Sequence, residues 1–165
     1  MPLRKMLYAA LFVAAGVLTG PIVSIPVGVS RCFPVQHTIN VLSAVLLGPA
    51  YALLNAFAIS LLRNLLGTGT LLAFPGSLFG AALAGLFYRL FRRNIAAAAG
   101  EVLGTGLLGG LAAFPTALLL MGKTTGAFFF IPPFLISTAG GSLLALLLLP
   151  LLKRALPSKD PGGKL

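Results

Sequence analysis

Most of this 165-residue chain consists of five long apolar runs: residues 6–20, 38–62, 71–88, 95–121 and 128–152. Hydrophobic residues make up 58% of the sequence and charged residues only 8%, whereas a typical soluble domain has about 25% charged residues. A chain this short cannot enclose so much apolar surface in a water-soluble core. The sequence therefore predicts an all-α integral membrane protein.

The number of transmembrane helices depends on Gly48-Pro49, which interrupts the second run. Proline lacks an amide hydrogen and disrupts a helix interior, so the pair is either a kink or a turn. A kink gives five spans and puts the basic clusters at residues 4–5 and 89–93 on opposite sides of the membrane. A turn gives six spans, with nine basic residues inside and three outside, which satisfies the positive-inside rule. The three outer residues are Arg31, Arg63 and Lys123. We therefore predict six transmembrane helices with both termini cytoplasmic.

This count implies one six-helix membrane domain over residues 1–154 and a short polar cytoplasmic tail over residues 155–165. The N-terminus also resembles a signal peptide, but the spans that follow favour a retained first helix. The helix from about Phe33 to Leu47 is too short to cross ~30 Å of hydrocarbon at ~1.5 Å per residue. We expect this helix to begin below the outer surface, with residues 21–34 folded back as a lid.

Several classes of function lack the residues that they need. The net charge of +10 lies mainly in short connections without a basic stripe, which argues against nucleic-acid binding. Residues 121–126, MGKTTG, resemble the end of a phosphate-binding loop, but Ala117 occupies the position of its first glycine. One cysteine, one histidine and two acidic residues provide neither a metal-ligand set nor a convincing catalytic triad. We therefore expect no cofactor and no enzymatic activity.

Polar residues within the spans concentrate near the predicted lid. Helical spacing places Gln36, His37 and Asn40 on one stripe, and Arg63 and Asn64 on another. Polar groups in hydrocarbon usually face a cavity or one another, so both a ligand site and simple helix packing are possible. The candidate substrate-binding residues are Phe33, Gln36, His37, Asn40, Arg63, Asn64, Thr68 and Glu101.

The expected roles within this set differ. We expect Phe33 to cover the face of a ligand ring, and His37 and Asn40 to hydrogen-bond its polar groups. Glu101 is the one acidic residue in a span, and it could serve a structural partner nearly as well as a ligand. Arg63 could instead anchor the helix by extending its head to the interface.

Four segments carry a resemblance to a known family. The chain resembles the ThiW family over about residues 4–154, in RCFPVQHTINVLSAVLLGP (31–49), RNLLGTGTLLAFPGS (63–77), GEVLGTG (100–106) and PPFLISTAGGS (132–142). Members of that family are substrate-binding S components of energy-coupling factor (ECF) transporters. The resemblance implies six helices in a prokaryotic plasma membrane, a ligand site towards the outer face, and no ATPase in the chain itself.

The resemblance also implies a substrate and partners. The substrate would be hydroxyethylthiazole, the thiazole precursor of thiamin, and the partners a transmembrane coupling protein with two ATP-binding subunits. The family's small-residue docking motif maps onto Ala10 and Ala14, although residues so spaced could equally pack within the chain. A self-sufficient carrier of small solutes, or a small membrane enzyme, remains an alternative.

Overall fold

The computed structural model describes residues 2–27 and 30–155, and the side chains of residues 3–26 and 31–155. The described residues form six helices and one β-hairpin. In chain order these are α1 Pro2–Thr19, β1 Ile25–Val27, β2 Ser30–Cys32, α2 Pro34–Leu46, α3 Pro49–Leu65, α4 Ala73–Phe91, α5 Asn94–Met121 and α6 Ile131–Ala155. Apart from Ala155, the predicted tail lies outside the described residues.

The predicted turn at Gly48-Pro49 is confirmed, because α2 and α3 are separate helices on either side of it. Gly48 has a φ of 103°, which a residue without Cβ adopts readily. Pro49 is the first residue of α3, where its missing amide costs no hydrogen bond and its fixed φ suits the helix. The proline therefore starts a helix instead of kinking one.

Successive helices run in alternating directions. A Cβ on Gly100 would meet Leu83 and one on Gly109 would meet Pro75, so α5 runs antiparallel to α4. Gly20, just after α1, lies against Arg63 near the end of α3, so these two helices run parallel. The described ends of the chain, in α1 and α6, consequently lie at the same end of the bundle. Within the described residues, α4, α5 and α6 are long and apolar enough to cross a membrane.

Helix α2 lies in the centre of the bundle and packs against all five other helices. Eleven of its 13 residues are buried, although several of them are polar. Alanines at positions 44, 52, 56, 81 and 84 form a buried cluster that lets α2, α3 and α4 approach closely. The expected short helix is thus a central element, and its side chains face protein instead of lipid.

The segment before α2 folds into an antiparallel hairpin in which Ile25 pairs with Cys32. The sequence predicted a lid here but no strands. Two hydrogen bonds fasten the end of the hairpin to the start of α6. The Cys32 thiol donates to the Pro133 carbonyl at 3.2 Å, and the Phe33 amide donates to Ser137 Oγ at 2.8 Å. Burial raises the pKa of the Cys32 thiol, so the thiol keeps its proton and can donate this hydrogen bond.

Candidate ligand-binding site

A cavity of about 410 Å³ opens at the hairpin end of the bundle, a volume within the range of small-molecule sites. It lies between the start of α2, the end of α3, the start of α4 and the α5–α6 connection. Its lining residues are Arg31, Phe33, Gln36, His37, Arg63, Gly69, Thr70, Leu72, Ala73, Gly76, Ser77, Met121, Lys123, Thr125, Phe129, Phe130, Phe134 and Ser137.

One wall of the cavity carries an arginine cluster, which consists of the lining residues Phe33, Gln36 and Arg63 together with Ser60 behind them. Arg63 Nη1 donates to Gln36 Oε1 at 2.7 Å, and Nη2 donates to the carbonyl of Thr68 at 3.0 Å. Gln36 Nε2 in turn donates to Ser60 Oγ at 3.0 Å. The guanidinium carbon lies 4.1 Å from the centroid of the Phe33 ring, within cation–π range.

The arginine cluster bears on the two hypotheses for Arg63, namely ligand binding and anchoring of the helix at the membrane interface. Arg63 is only 1% exposed, and its head points into protein instead of reaching an interface. Snorkelling keeps the charge in water, so this burial favours a role in the cavity wall over an interfacial anchor. The planar guanidinium instead holds Gln36 and the loop after α3 in place, a task for which its fixed geometry is suited.

Next to it lies a carboxylate cluster, consisting of His37, Asn40, Ser77, Glu101 and Thr105. Glu101 is fully buried, and its Oε1 lies 2.9 Å from His37 Nδ1. The same oxygen accepts from Asn40 Nδ2 at 3.1 Å and from Thr105 Oγ1 at 2.9 Å. Asn40 Nδ2 also lies 3.0 Å from Ser77 Oγ. These hydrogen bonds all fall on Oε1 and offset part of the cost of burying the acid, since Glu101 Oε2 has no hydrogen-bond partner among the described residues.

The backbone around Glu101 makes room for this arrangement. Gly80 of α4 lies opposite, and a Cβ there would come within 2.6 Å of both carboxylate oxygens. Immediately after Glu101, residues Val102–Gly109 form a π-helical segment inside α5. Such segments are rare and frequently occur at functional sites. A Cβ at Gly104 would clash with the backbone of α4, so glycine lets the two helices meet beside the carboxylate.

The structure brings four of the eight candidate residues to the cavity wall: Phe33, Gln36, His37 and Arg63. Asn40 and Glu101 lie behind His37 and Ser77 and do not line the cavity. Asn64 Nδ2 donates to the carbonyls of Ser60 and Thr70, and the Thr68 hydroxyl donates to the carbonyl of Arg63. Asn64 and Thr68 therefore stabilise the end of α3 and the loop that follows it.

The opposite wall of the cavity was missed from the sequence. It comes from the α5–α6 connection and includes Met121, Lys123, Thr125, Phe129 and Phe130. The run of three phenylalanines after GKTTG was the available signal, since aromatic residues commonly line ligand sites. Lys123 joins Arg31 and Arg63, so all three basic residues assigned to the outer side line one cavity.

Taken together, the fold and the cavity define a class: a polytopic helical membrane protein with a small-molecule-sized chamber at one end of its bundle. The chain belongs to the ThiW family, because the family model described as thiamine-precursor transporter protein (ThiW) matches residues 6–155. It is therefore a thiamine-precursor transporter and a multi-pass protein of the cell membrane, and its family is one of transporters instead of enzymes. No curated protein and no solved structure matches the chain.

Proposed function

We propose that this chain is the substrate-capture subunit of an ECF importer and that it binds hydroxyethylthiazole in the 410 Å³ cavity. One observation carries the proposal. The two longest segments that resemble the family, residues 31–49 and 63–77, lie on different helices, and together they supply most of the cavity lining. The segments on which the resemblance rests therefore meet at one chamber of small-molecule size, as a substrate-capture subunit requires.

The chemistry of the lining suits a small ring-containing alcohol. Phe33, Phe130 and Phe134 offer faces and edges against which an aromatic ring can pack. Gln36, His37 and Ser137 add a few polar groups that can orient a ring nitrogen and a hydroxyl. Such a combination of apolar walls and few polar groups is typical of small-molecule sites.

The test is titration of the purified chain with thiamin, with its pyrimidine half and with its thiazole half. We expect the thiazole alcohol to bind and the pyrimidine half not to bind. His37→Ala should weaken binding several-fold or more, since a lost hydrogen bond costs about 0.5–1.5 kcal/mol. Preferential binding of the pyrimidine half would overturn the proposed substrate.

The proposed topology has six spans with both termini cytoplasmic. The start of α1 and the end of α6 lie at the end of the bundle opposite the cavity, together with Arg89, Arg92 and Arg93. At that end the Lys153 ammonium donates to Asn94 Oδ1 at 2.9 Å. Clustered basic residues favour the cytoplasmic side, so the cavity would open outwards. Cysteine-accessibility labelling from each side of sealed vesicles tests this orientation.

The proposed docking face for the coupling protein is the exposed stripe of α1. Ala10 and Ala14 are exposed, whereas Ala9 and Gly16 of the same helix are buried against the bundle. Small exposed residues one turn apart permit close approach of a partner helix in a membrane. This supports the partner assignment over packing within the chain.

Ala10→Trp and Ala14→Trp should retain ligand binding in detergent but lose co-purification with the coupling protein and its two ATP-binding subunits. The matched control is Leu147→Trp, at a position that is 63% exposed on α6, and it should keep both properties. Uptake into liposomes that contain this chain without the ATPases would favour the self-sufficient carrier instead.

A further inference from the structure

The ring of His37 stands between the cavity and the buried carboxylate of Glu101. His37 lines the cavity, and its Nδ1 lies 2.9 Å from Glu101 Oε1. The other ring nitrogen, Nε2, makes no hydrogen bond with any residue in the described part of the chain. The two nitrogens therefore have separate tasks, one towards the protein and one towards the chamber.

The neighbours of Glu101 Oε1 determine which nitrogen carries the proton. This oxygen already accepts from Asn40 Nδ2 and Thr105 Oγ1. The orientation of the Asn40 amide is itself fixed, because its Oδ1 accepts from Ser77 Oγ while its Nδ2 faces the Ser77 carbonyl. With two donors already on this oxygen, the short contact is a hydrogen bond when His37 Nδ1 carries a proton and donates it to the same oxygen.

The charges around the ring bear on whether Nε2 also carries a proton. Glu101 lies on one side of the ring, and three cationic side chains, Arg31, Arg63 and Lys123, line the cavity on the other, so a second proton on His37 would add a fourth positive charge there. No carboxylate lines the chamber among the residues that the structure describes. A neutral ring with its proton on Nδ1 satisfies Glu101 and leaves an acceptor lone pair on Nε2.

We propose that Glu101 is a positioning residue that holds neutral His37 with its proton on Nδ1, so that Nε2 selects ligands carrying a hydrogen-bond donor. For the thiazole alcohol of the proposed function, on which this inference rests, that donor is the hydroxyl group. The O-methyl ether of the same compound would place an oxygen without a proton against the Nε2 lone pair. Two acceptors that face each other without water leave both unpaired, which is costly.

The chain contains one histidine, so ¹⁵N labelling of histidine gives one assigned pair of ring signals. In water a neutral imidazole favours the proton on Nε2, and only a specific partner on Nδ1 reverses this preference. We expect the ¹⁵N spectrum of the detergent-solubilised chain to show a protonated Nδ1 and an unprotonated Nε2. Addition of the thiazole alcohol should shift the Nε2 signal, and addition of its ether should not.

Binding measurements complete the test. The ether should bind at least about tenfold more weakly than the alcohol, because sites built around a hydroxyl discriminate strongly against analogues that lack it. Glu101→Gln keeps an amide oxygen for Nδ1 and should retain the ring pattern and the discrimination. Glu101→Leu removes the acceptor and should lose both, and if that variant does not fold, the wild-type spectrum decides the question alone.

Three results would overturn the inference: a wild-type ring with its proton on Nε2, a ring with both nitrogens protonated, or equal affinity for alcohol and ether. Failure of the proposed function looks different. If neither compound binds while the ring carries its proton on Nδ1, the proposed ligand is wrong, donor selection falls with it, and the positioning role of Glu101 stands.

Discussion

The arginine cluster and the carboxylate cluster include adjacent residues of α2, Gln36 and His37. They differ in where the ionisable side chain lies and in how its hydrogen bonds are distributed. Arg63 is held by neutral oxygens and an aromatic ring at the cavity wall. Glu101 lies behind the wall and collects three hydrogen-bond contacts on one oxygen. The acid and the arginine do not pair with each other.

The difference between the two clusters is one of depth. The carboxylate cluster joins α2, α4 and α5 inside the bundle, so its loss should act mainly on folding. The arginine cluster joins α2, α3 and the following loop beside the chamber, so its loss should act mainly on the ligand. Substitutions of Glu101 and of Arg63 should therefore separate stability from affinity, whereas His37 and Ser77 of the carboxylate cluster also line the cavity.

The largest effect is expected for Glu101→Ala, which leaves His37 Nδ1, Asn40 and Thr105 without their shared acceptor. Leaving a buried donor without an acceptor costs about 1–3 kcal/mol, and three donors lose their acceptor here, so we expect a large loss of stability that reversible unfolding in detergent would measure. Glu101→Gln is the control and should lose much less, because it retains an oxygen. Stability of the alanine variant within about 1 kcal/mol of wild type would break the distinction between the clusters.

Gly80→Ala tests the same cluster from the other side. The added methyl group would lie 2.6 Å from both Glu101 oxygens, and such overpacking typically costs about 1–3 kcal/mol. Gly140→Ala on α6 is the matched control, since its nearest neighbour would be the Pro34 side chain at 3.9 Å. That control should be neutral or slightly stabilising, because alanine favours the helical state.

Arg63→Lys sharpens the other half of the comparison. It keeps the charge but cannot contact Gln36 and the Thr68 carbonyl at once with a planar fork. We expect ligand affinity to fall about tenfold, corresponding to ~1.4 kcal/mol or roughly one to two hydrogen bonds. Isothermal titration together with a melting curve measures both quantities. If the variant loses more free energy of unfolding than free energy of binding, Arg63 acts mainly on folding, as expected for Glu101, and the comparison fails.

The smallest effect is expected for Phe33→Leu, which removes the aromatic face over the Arg63 guanidinium. The Phe33 ring is only partly buried, so its cation–π contact should lie nearer to the ~0.5–1 kcal/mol of exposed sites than to the ~2 kcal/mol of desolvated ones, and affinity should fall only a few-fold. Phe74→Leu is the control, since the ring centroids of Phe74 and Phe57 are 5.8 Å apart and Phe74 does not line the cavity. Equal losses of affinity in the two variants would indicate general loosening of the fold.

The sequence predicted those features that depend on length, charge and proline chemistry. The turn at Gly48-Pro49 followed from the charge distribution, and the short α2 from its number of residues. Helical spacing correctly placed Gln36, His37 and Asn40 near one another, but it carries no information on depth, so Asn40 was expected at the ligand. The contact between His37 and Glu101, 64 residues apart, depends on the packing of α2 against α5.

Other features had no periodic signal. The hairpin spans a few residues with two prolines nearby, too short for an alternating pattern to stand out. The π-helical segment depends on how glycine-rich α5 meets α4 and α6, which local preference does not encode. The aromatic wall lies in the connection before α6, where no helical face relates its side chains to the rest of the cavity.

The shortness of α2 bears on how the chain enters the bilayer during synthesis. Its 13 residues span about 20 Å as a helix, less than the ~30 Å of the hydrocarbon, and they include Gln36, His37 and Asn40. A segment so short and polar is a poor substrate for independent insertion by the translocon. In the proposed six-span topology, we expect the tight turn at Gly48-Pro49 to let α2 enter paired with α3. The polar side chains of α2 would then lack their final hydrogen-bond partners until α4 and α5 have been synthesised. The later helices would therefore complete the packing of an earlier one.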